Sequence, residues 1–140
     1  MTKRILIVDD GLIALQHIKR ILKGAGYIAF PATSGEQAIQ MIQAAGNNHF
    51  DAILSDYNMP PGINGGEFIQ ICRTIPGYKN KPILLISGEH PAFLHNIVKQ
   101  VGADAFFEKP VLPAPLVGCL EDLFHHYESL IGLAGFPEEF

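Results

Sequence analysis

The chain has no apolar run near the roughly 18 residues that cross a bilayer, and its start, Met1–Arg4 followed by Ile5–Val8, is too short for a signal peptide. Lys and Arg never cluster beyond a pair, and their 10 residues face 14 Asp and Glu. That balance leaves no positive stripe for a phosphate backbone and argues against direct nucleic-acid binding. Only two cysteines occur, Cys72 and Cys119, far apart and without a C-x-x-C pair, so zinc and redox chemistry have no framework and both read as reduced thiols. Internal linkers and low-complexity tracts are also missing; only the ending 133–140 reads as a tail or the start of a linker, leaving a domain over 1–132. A soluble, cytoplasmic protein with no membrane partner is expected. What is present is a core: 48% of the 140 residues are apolar and 17% charged, enough for one self-folding domain and incompatible with disorder.

Short aliphatic runs recur at Arg4–Val8, Tyr27–Pro31, Ala52–Leu54, Ile83–Ile86 and Ala105–Phe107. Between them lie stretches with helical spacing, such as Leu15, Ile18 and Leu22. The pattern predicts an α/β chain of five strand–helix units, (βα)5. Near-continuous apolar strands such as Ile5–Val8 and Ile83–Ile86 suit a parallel sheet covered on both faces, hence a doubly wound fold. Gly24 and Gly26 follow the first helix, Ser34 with Gln37 reads as a capping box opening the second, and Gly46 closes it.

Ligands of such sheets lie beyond the carboxyl ends of the strands. Those ends carry Asp9-Asp10, Ser55-Asp56, Ser87-Gly88 and Glu108-Lys109-Pro110. Singly, each has a plain explanation: Asp10 as a helix cap, Asp56 and Ser87 as turn residues, Lys109 as a solvated charge. Together they do not. With strand order 2-1-3-4-5, Asp9, Asp10 and Asp56 converge, and two like charges about 4 Å apart repel by roughly 4 kcal/mol at an effective dielectric near 20. Mg²⁺, a hard cation suited to carboxylates, a carbonyl and water, is the natural balance, with Lys109 adding positive charge. A metal, an ammonium and the Ser87 hydroxyl around Asp56 place it as a nucleophile toward phosphorus, forming an aspartyl phosphate.

Val8-Asp9-Asp10, Asp56-Tyr57-Asn58-Met59-Pro60 with Gly65, Ser87-Gly88 and Lys109-Pro110 resemble the receiver domain of bacterial two-component response regulators, a likeness covering about residues 3–128. The resemblance implies a flavodoxin-like or chemotaxis-regulator-like fold. Asp56 would accept phosphate from the phosphohistidine of a sensor histidine kinase or a histidine phosphotransfer protein. Asp9, Asp10, Asp56 and the Asn58 backbone carbonyl would hold Mg²⁺. Lys109 and Ser87 would bind the phosphoryl oxygens, Phe106 would be the switch aromatic, and Asn58 and Glu89 would tune dephosphorylation. It further implies a cis Lys109–Pro110 bond. Modification would reshape the surface of the fourth helix, fifth strand and fifth helix for a downstream protein. Such a module is not an enzyme beyond its own phosphorylation and dephosphorylation.

Three features depart from the family pattern: Gly11 after the acidic pair, a loop at Pro60–Gly65 longer by one residue, and Phe106 in place of Tyr. Two other functions remain open, a phosphorylation-independent docking module and a small phosphohydrolase with an aspartyl intermediate. Gly24-Ala-Gly-Tyr-Ile-Ala29 fits a G-x-G-x-x-A string but runs from helix to strand, the reverse of a dinucleotide turn. His125 and His126 point about 100 degrees apart on a helix and read as surface residues. Leu116, Leu120, Leu123, Tyr127 and Leu130 form two heptads, too few for a coiled coil. Burial explains them, with homodimerisation through an extended segment 127–136, or through the switch surface, as the minority reading.

Overall fold

The computed structural model describes residues 2–46 and 48–133. Five strands alternate with five helices: β1 Arg4–Val8, α1 Leu12–Gly24, β2 Ile28–Ala32, α2 Gly35–Ala45, β3 Ala52–Ser55, α3 Gly65–Thr74, β4 Ile83–Ser87, α4 Pro91–Val101, β5 Ala105–Glu108 and α5 Pro113–Leu133. One sheet holds all five strands in parallel, in the order 2-1-3-4-5. β1 has the expected bounds and β2 is displaced by one residue, while β3, β4 and β5 each run one residue further than expected, because Ser55, Ser87 and Glu108 are still part of the strands although their side chains are polar. Leu133 belongs to α5, and the remainder of the expected tail lies outside the described residues.

Alternation along the strands sorts the core into two layers. Leu6, Val8, Ile53, Ile83 and Leu85 pack with Ala38, Ile42, Phe68 and Ile69 of α2 and α3. Ile5, Ile7, Leu54, Leu84 and Ile86 face the other way, onto Leu15, Ile18 and Leu22 of α1 and Leu116 and Leu120 of α5. A strand buried on both faces cannot alternate apolar with polar, which is why β1 and β4 read as unbroken aliphatic runs.

Helix starts use local chemistry. The Ser34 hydroxyl accepts from the Gln37 amide at 3.0 Å, while the Gln37 side chain accepts from the Thr33 amide. The expected capping box at α2 is therefore half made, with its return arm reaching one residue further back. The reciprocal box is at α3, between Asn64 and Glu67. Gly11, not Asp10, is the N-cap of α1, and no side chain caps that helix. In α5, Leu116 and Leu120 are fully buried, whereas Leu130 is exposed, so burial accounts for the first part of the heptad pattern. No helix among the described residues is long and apolar enough to cross a membrane.

Candidate functional site

The strand order decides which loops meet. β1 and β3 are neighbours, and the Asp56 amide donates to the Val8 carbonyl at 2.8 Å, while on the other side the Asp9 amide donates to the Ala32 carbonyl at the end of β2 at 3.0 Å. These bonds hold Asp9 and Asp56 side by side at the carboxyl edge. On the other flank, the Lys109 amide donates to the Ser87 carbonyl at 2.9 Å, which starts the lysine side chain at β5 and lets it span β4 to reach the acids.

Asp9, Asp10 and Asp56 each present a carboxylate oxygen within 4.8 Å of the others. Asp9 and Asp56 are buried and Asp10 is exposed. Lys109 Nζ lies 2.6 Å from Asp9 Oδ2 and 3.2 Å from Asp56 Oδ2. Asp9 Oδ1 accepts from the Gly11 amide at 2.8 Å and Asp56 Oδ1 from the Tyr57 amide at 2.8 Å. The buried Asp9 Oδ2 has the ion contact with Lys109 but no bond of hydrogen-bond geometry.

One ammonium serves two buried carboxylates, with a third beside them. Burial raises the Asp56 pKa above the ordinary carboxylate value, Asp9 pushes the same way, and Lys109 offsets only part of this. Lys109 is also raised: burial opposes its charge, but contact with Asp9 and the charges of Asp56 and Asp9 outweigh that loss. The two shifts agree physically, because the ammonium has more partners than it needs and each carboxylate fewer. At an effective dielectric near 20, like charges at such spacing repel by about 3 to 4 kcal/mol. The residues fit a divalent ion on three counts: hard oxygen donors, an excess of negative charge and a buried carboxylate oxygen without a directed partner.

The remaining expected residues ring this cluster. Ser87 is buried and its hydroxyl accepts from the Glu89 amide at 3.3 Å. The exposed Asn58 side chain donates to the Glu89 carboxylate, bridging the loops after β3 and β4 across the mouth of the site. Phe106 is half-buried against the core layer under α2, α3 and α4, and the Lys109–Pro110 bond is cis. Gly65 has a steric reason: a Cβ there would collide with the Asp56 carbonyl, and its amide donates to the Tyr57 carbonyl at 2.6 Å.

Some contacts had no signal in the sequence. His17 Nε2 lies 2.8 Å from the Val111 carbonyl, tying α1 to the loop after Lys109. Tyr57 meets Phe93 of α4 edge to face, with ring centres 5.0 Å apart. Neither follows from periodicity, because each joins segments remote in sequence.

The response regulator receiver domain family matches residues 5–121. The chain is 30% identical over 122 residues to the sensory/regulatory protein RpfC of Xanthomonas campestris pv. campestris, covering 86% of this chain but only 16% of that protein's length. Identity is 29% over 111 residues to the two-component response regulator ORR3 of Oryza sativa, covering 79% of this chain and 82% of the other. Among solved structures, the Vibrio cholerae chemotaxis protein CheY4 aligns with 33% identity and a TM-score of 0.79, over 88% of this chain and 99% of that one. A Chloroflexus aurantiacus putative response regulator aligns with 30% identity and a TM-score of 0.81, over 89% and 99%. Fold, acidic edge and family match agree: the chain belongs to the receiver domains of two-component response regulators.

Proposed function

We propose that the protein is a phosphoacceptor in two-component signalling, taking a phosphoryl group on Asp56 from a phosphohistidine and using it to alter protein binding. The observation that carries this reading is the undercompensated cluster of Asp9, Asp10 and Asp56, in which Lys109 pairs with Asp9 and Asp56 alone. An Asp56 carboxylate oxygen forms the new bond to phosphorus as the phosphorus–nitrogen bond breaks, and the electron pair stays on the imidazole. Asp9, Asp10, Asp56 and the Asn58 carbonyl would hold Mg²⁺, which when bound neutralises charge on the transferring group. Lys109 provides a fixed positive charge for a phosphoryl oxygen, and the buried Ser87 hydroxyl provides a donor once the acceptor is modified.

Beside the site the exposed Ile13 lines a largely apolar cavity of about 460 Å³, together with Ala14, His17, Ile18, Ile86, Pro110, Val111 and Lys109 itself; Leu12 and Leu112, next to it in the chain, are exposed as well. An apolar patch next to the acceptor supports a protein donor, a sensor kinase or a histidine phosphotransfer protein. On modification Ser87 is drawn toward the new charge and Phe106 repacks, changing the face of α4, β5 and α5 for a downstream protein or a second copy of the chain. Asn58 and Glu89, which cap the mouth, would govern the approach of water and so the lifetime of the phosphate.

The test is intact mass after incubation with acetyl phosphate and Mg²⁺. A single phosphoryl adduct, lost in Asp56→Asn and on chelation, is expected. An unmodified wild type overturns the reading in favour of a docking module, and steady turnover of free phosphate esters overturns it in favour of a phosphohydrolase.

A further inference from the structure

The loop between β3 and α3 carries Asn58, and its crown, a turn at residues 60–61, is held by few hydrogen bonds. Pro60 and Pro61 have no N–H to donate, and residues 60–62 are exposed. Within 59–63 the Ile63 amide has the one backbone hydrogen bond found among the described residues. It donates to Glu36 Oε2 at 2.8 Å, in the first turn of α2. The surrounding fit is close. A Cβ on Gly62 would strike the Glu36 carboxylate, and one on Gly35 would come within 2.7 Å of Ile63 Cγ1. Ile63 itself packs against the core layer under α2 and α3. Two glycines from different elements thus make room for one contact between the loop and α2.

We propose that Glu36 is a positioning residue for the metal site: by anchoring the Ile63 amide it fixes the loop crown and, through it, the Asn58 carbonyl. The inference rests on the reading of Asn58 as a metal ligand. At its other end the loop is closed by Asn64, Glu67 and the Gly65 amide, so the segment between Asn58 and Ile63 is what the Glu36 contact restrains. Glu36 also places a negative charge near the N-terminus of α2, a favourable arrangement in itself. That second role needs charge and not the Ile63 bond. Glutamine separates the two, since it keeps the acceptor oxygen and loses the charge.

The experiment titrates the full chain with Mg²⁺ and follows the Asn58 and Gly65 amide resonances, with hydrogen exchange at Ile63 measured in metal-free protein. Glu36→Gln is expected to bind as wild type does. Glu36→Ala is expected to weaken binding about 10-fold, the lower end of what loss of an outer-shell partner costs a metal site, and to speed exchange at Ile63. Gly62→Ala, which pushes the carboxylate aside while leaving α2 intact, is expected to match it. The double variant is expected to be no weaker than either single one, because both remove the same contact. Wild-type affinity in Glu36→Ala, or in Gly62→Ala should the former not fold, overturns the proposal. So does a Gln variant as weak as the Ala variant, which would assign the effect to charge. A wild type whose resonances ignore Mg²⁺ overturns the metal reading and the proposal with it, whereas slow Ile63 exchange would still show the anchor.

Discussion

Two carboxylate sites at opposite edges of the sheet use the same chemical group in opposite ways. At the amino edge Asp104 is saturated: Oδ2 accepts from the Ile83 amide at 2.9 Å and from Arg73 at 3.0 Å, and Oδ1 accepts from the Tyr127 hydroxyl at 2.6 Å. Arg73 spends its other donors on the carbonyls of Gly102, Tyr78 and Lys81. Every charge there has its counterpart, and the result ties α3, β4, β5 and α5 together. At the carboxyl edge three carboxylates lie together and one lysine pairs with two of them, Asp9 and Asp56. A saturated carboxylate stabilises the fold and has no capacity left for a ligand; an undersaturated one destabilises the empty protein and keeps that capacity.

The contrast can be broken at either edge, and the largest effect should come from the acceptor. Asp56→Asn is expected to abolish labelling by acetyl phosphate while leaving the metal-free melting temperature equal to or above wild type. Its raised pKa means that the protonated carboxyl favours the folded state. The stabilisation from that neutral form is full below the unfolded value and is lost as pH rises through the folded one, so at neutral pH the charged group is a burden. A clear fall in melting temperature would show that Asp56 holds the fold together as Asp104 does.

Next in size, Arg73→Ala should destabilise by about 3 kcal/mol, since it strands a largely buried carboxylate. It should still be labelled on Asp56 at folding temperatures. Denaturant unfolding gives the first quantity and intact mass the second; loss of labelling in the folded variant would mean that the two edges are not separable. Mg²⁺ at about 100 times its dissociation constant should raise stability by about 2.7 kcal/mol, an increment absent from Asp10→Asn if the exposed member of the trio is a ligand. Thermal melts with and without the ion decide it.

The smallest effect is at Tyr127. Its pKa is raised to about 12 by burial, by its hydrogen bond to Asp104 and by that residue's charge. The neutral phenol is therefore favoured in the fold, and its contribution is full below pH 10 and declines as pH rises toward 12. Tyr127→Phe should lose about 1.5 kcal/mol at pH 8, the size of a hydrogen bond to a charged acceptor, and should flatten this alkaline decline. Chemical denaturation at pH 8 and pH 11 measures both, and a variant as stable as wild type at pH 8 would show that the bond adds nothing.

Much of this was legible in the chain itself. The unbroken runs Ile5–Val8 and Ile83–Ile86 announced a sheet covered on both faces, and polar residues at the strand ends announced the acidic edge. Less legible were contacts between segments that carry no mutual pattern. Arg73 and Asp104 look like ordinary surface charges, and Tyr127 like one more member of the heptad stripe, until β5 is set beside β4. Glu36 looks like a helix-start acid until the Pro60–Gly62 crown lies over it. The expected Ser34–Gln37 box was correct in its first arm and missed the second, because Gln37 accepts from the Thr33 amide and hydroxyl instead.

Sequence alone determined the alternation of strands and helices, the two core layers and the identity of the polar residues at each carboxyl end, because local spacing fixes which side chains can be buried together. Only the tertiary structure decided which charges are satisfied. Hydrogen bonds and ion pairs depend on distance and direction between groups far apart in the chain, and strand order alone brings Lys109 to Asp9 and Asp56 while giving Asp104 its full set of partners.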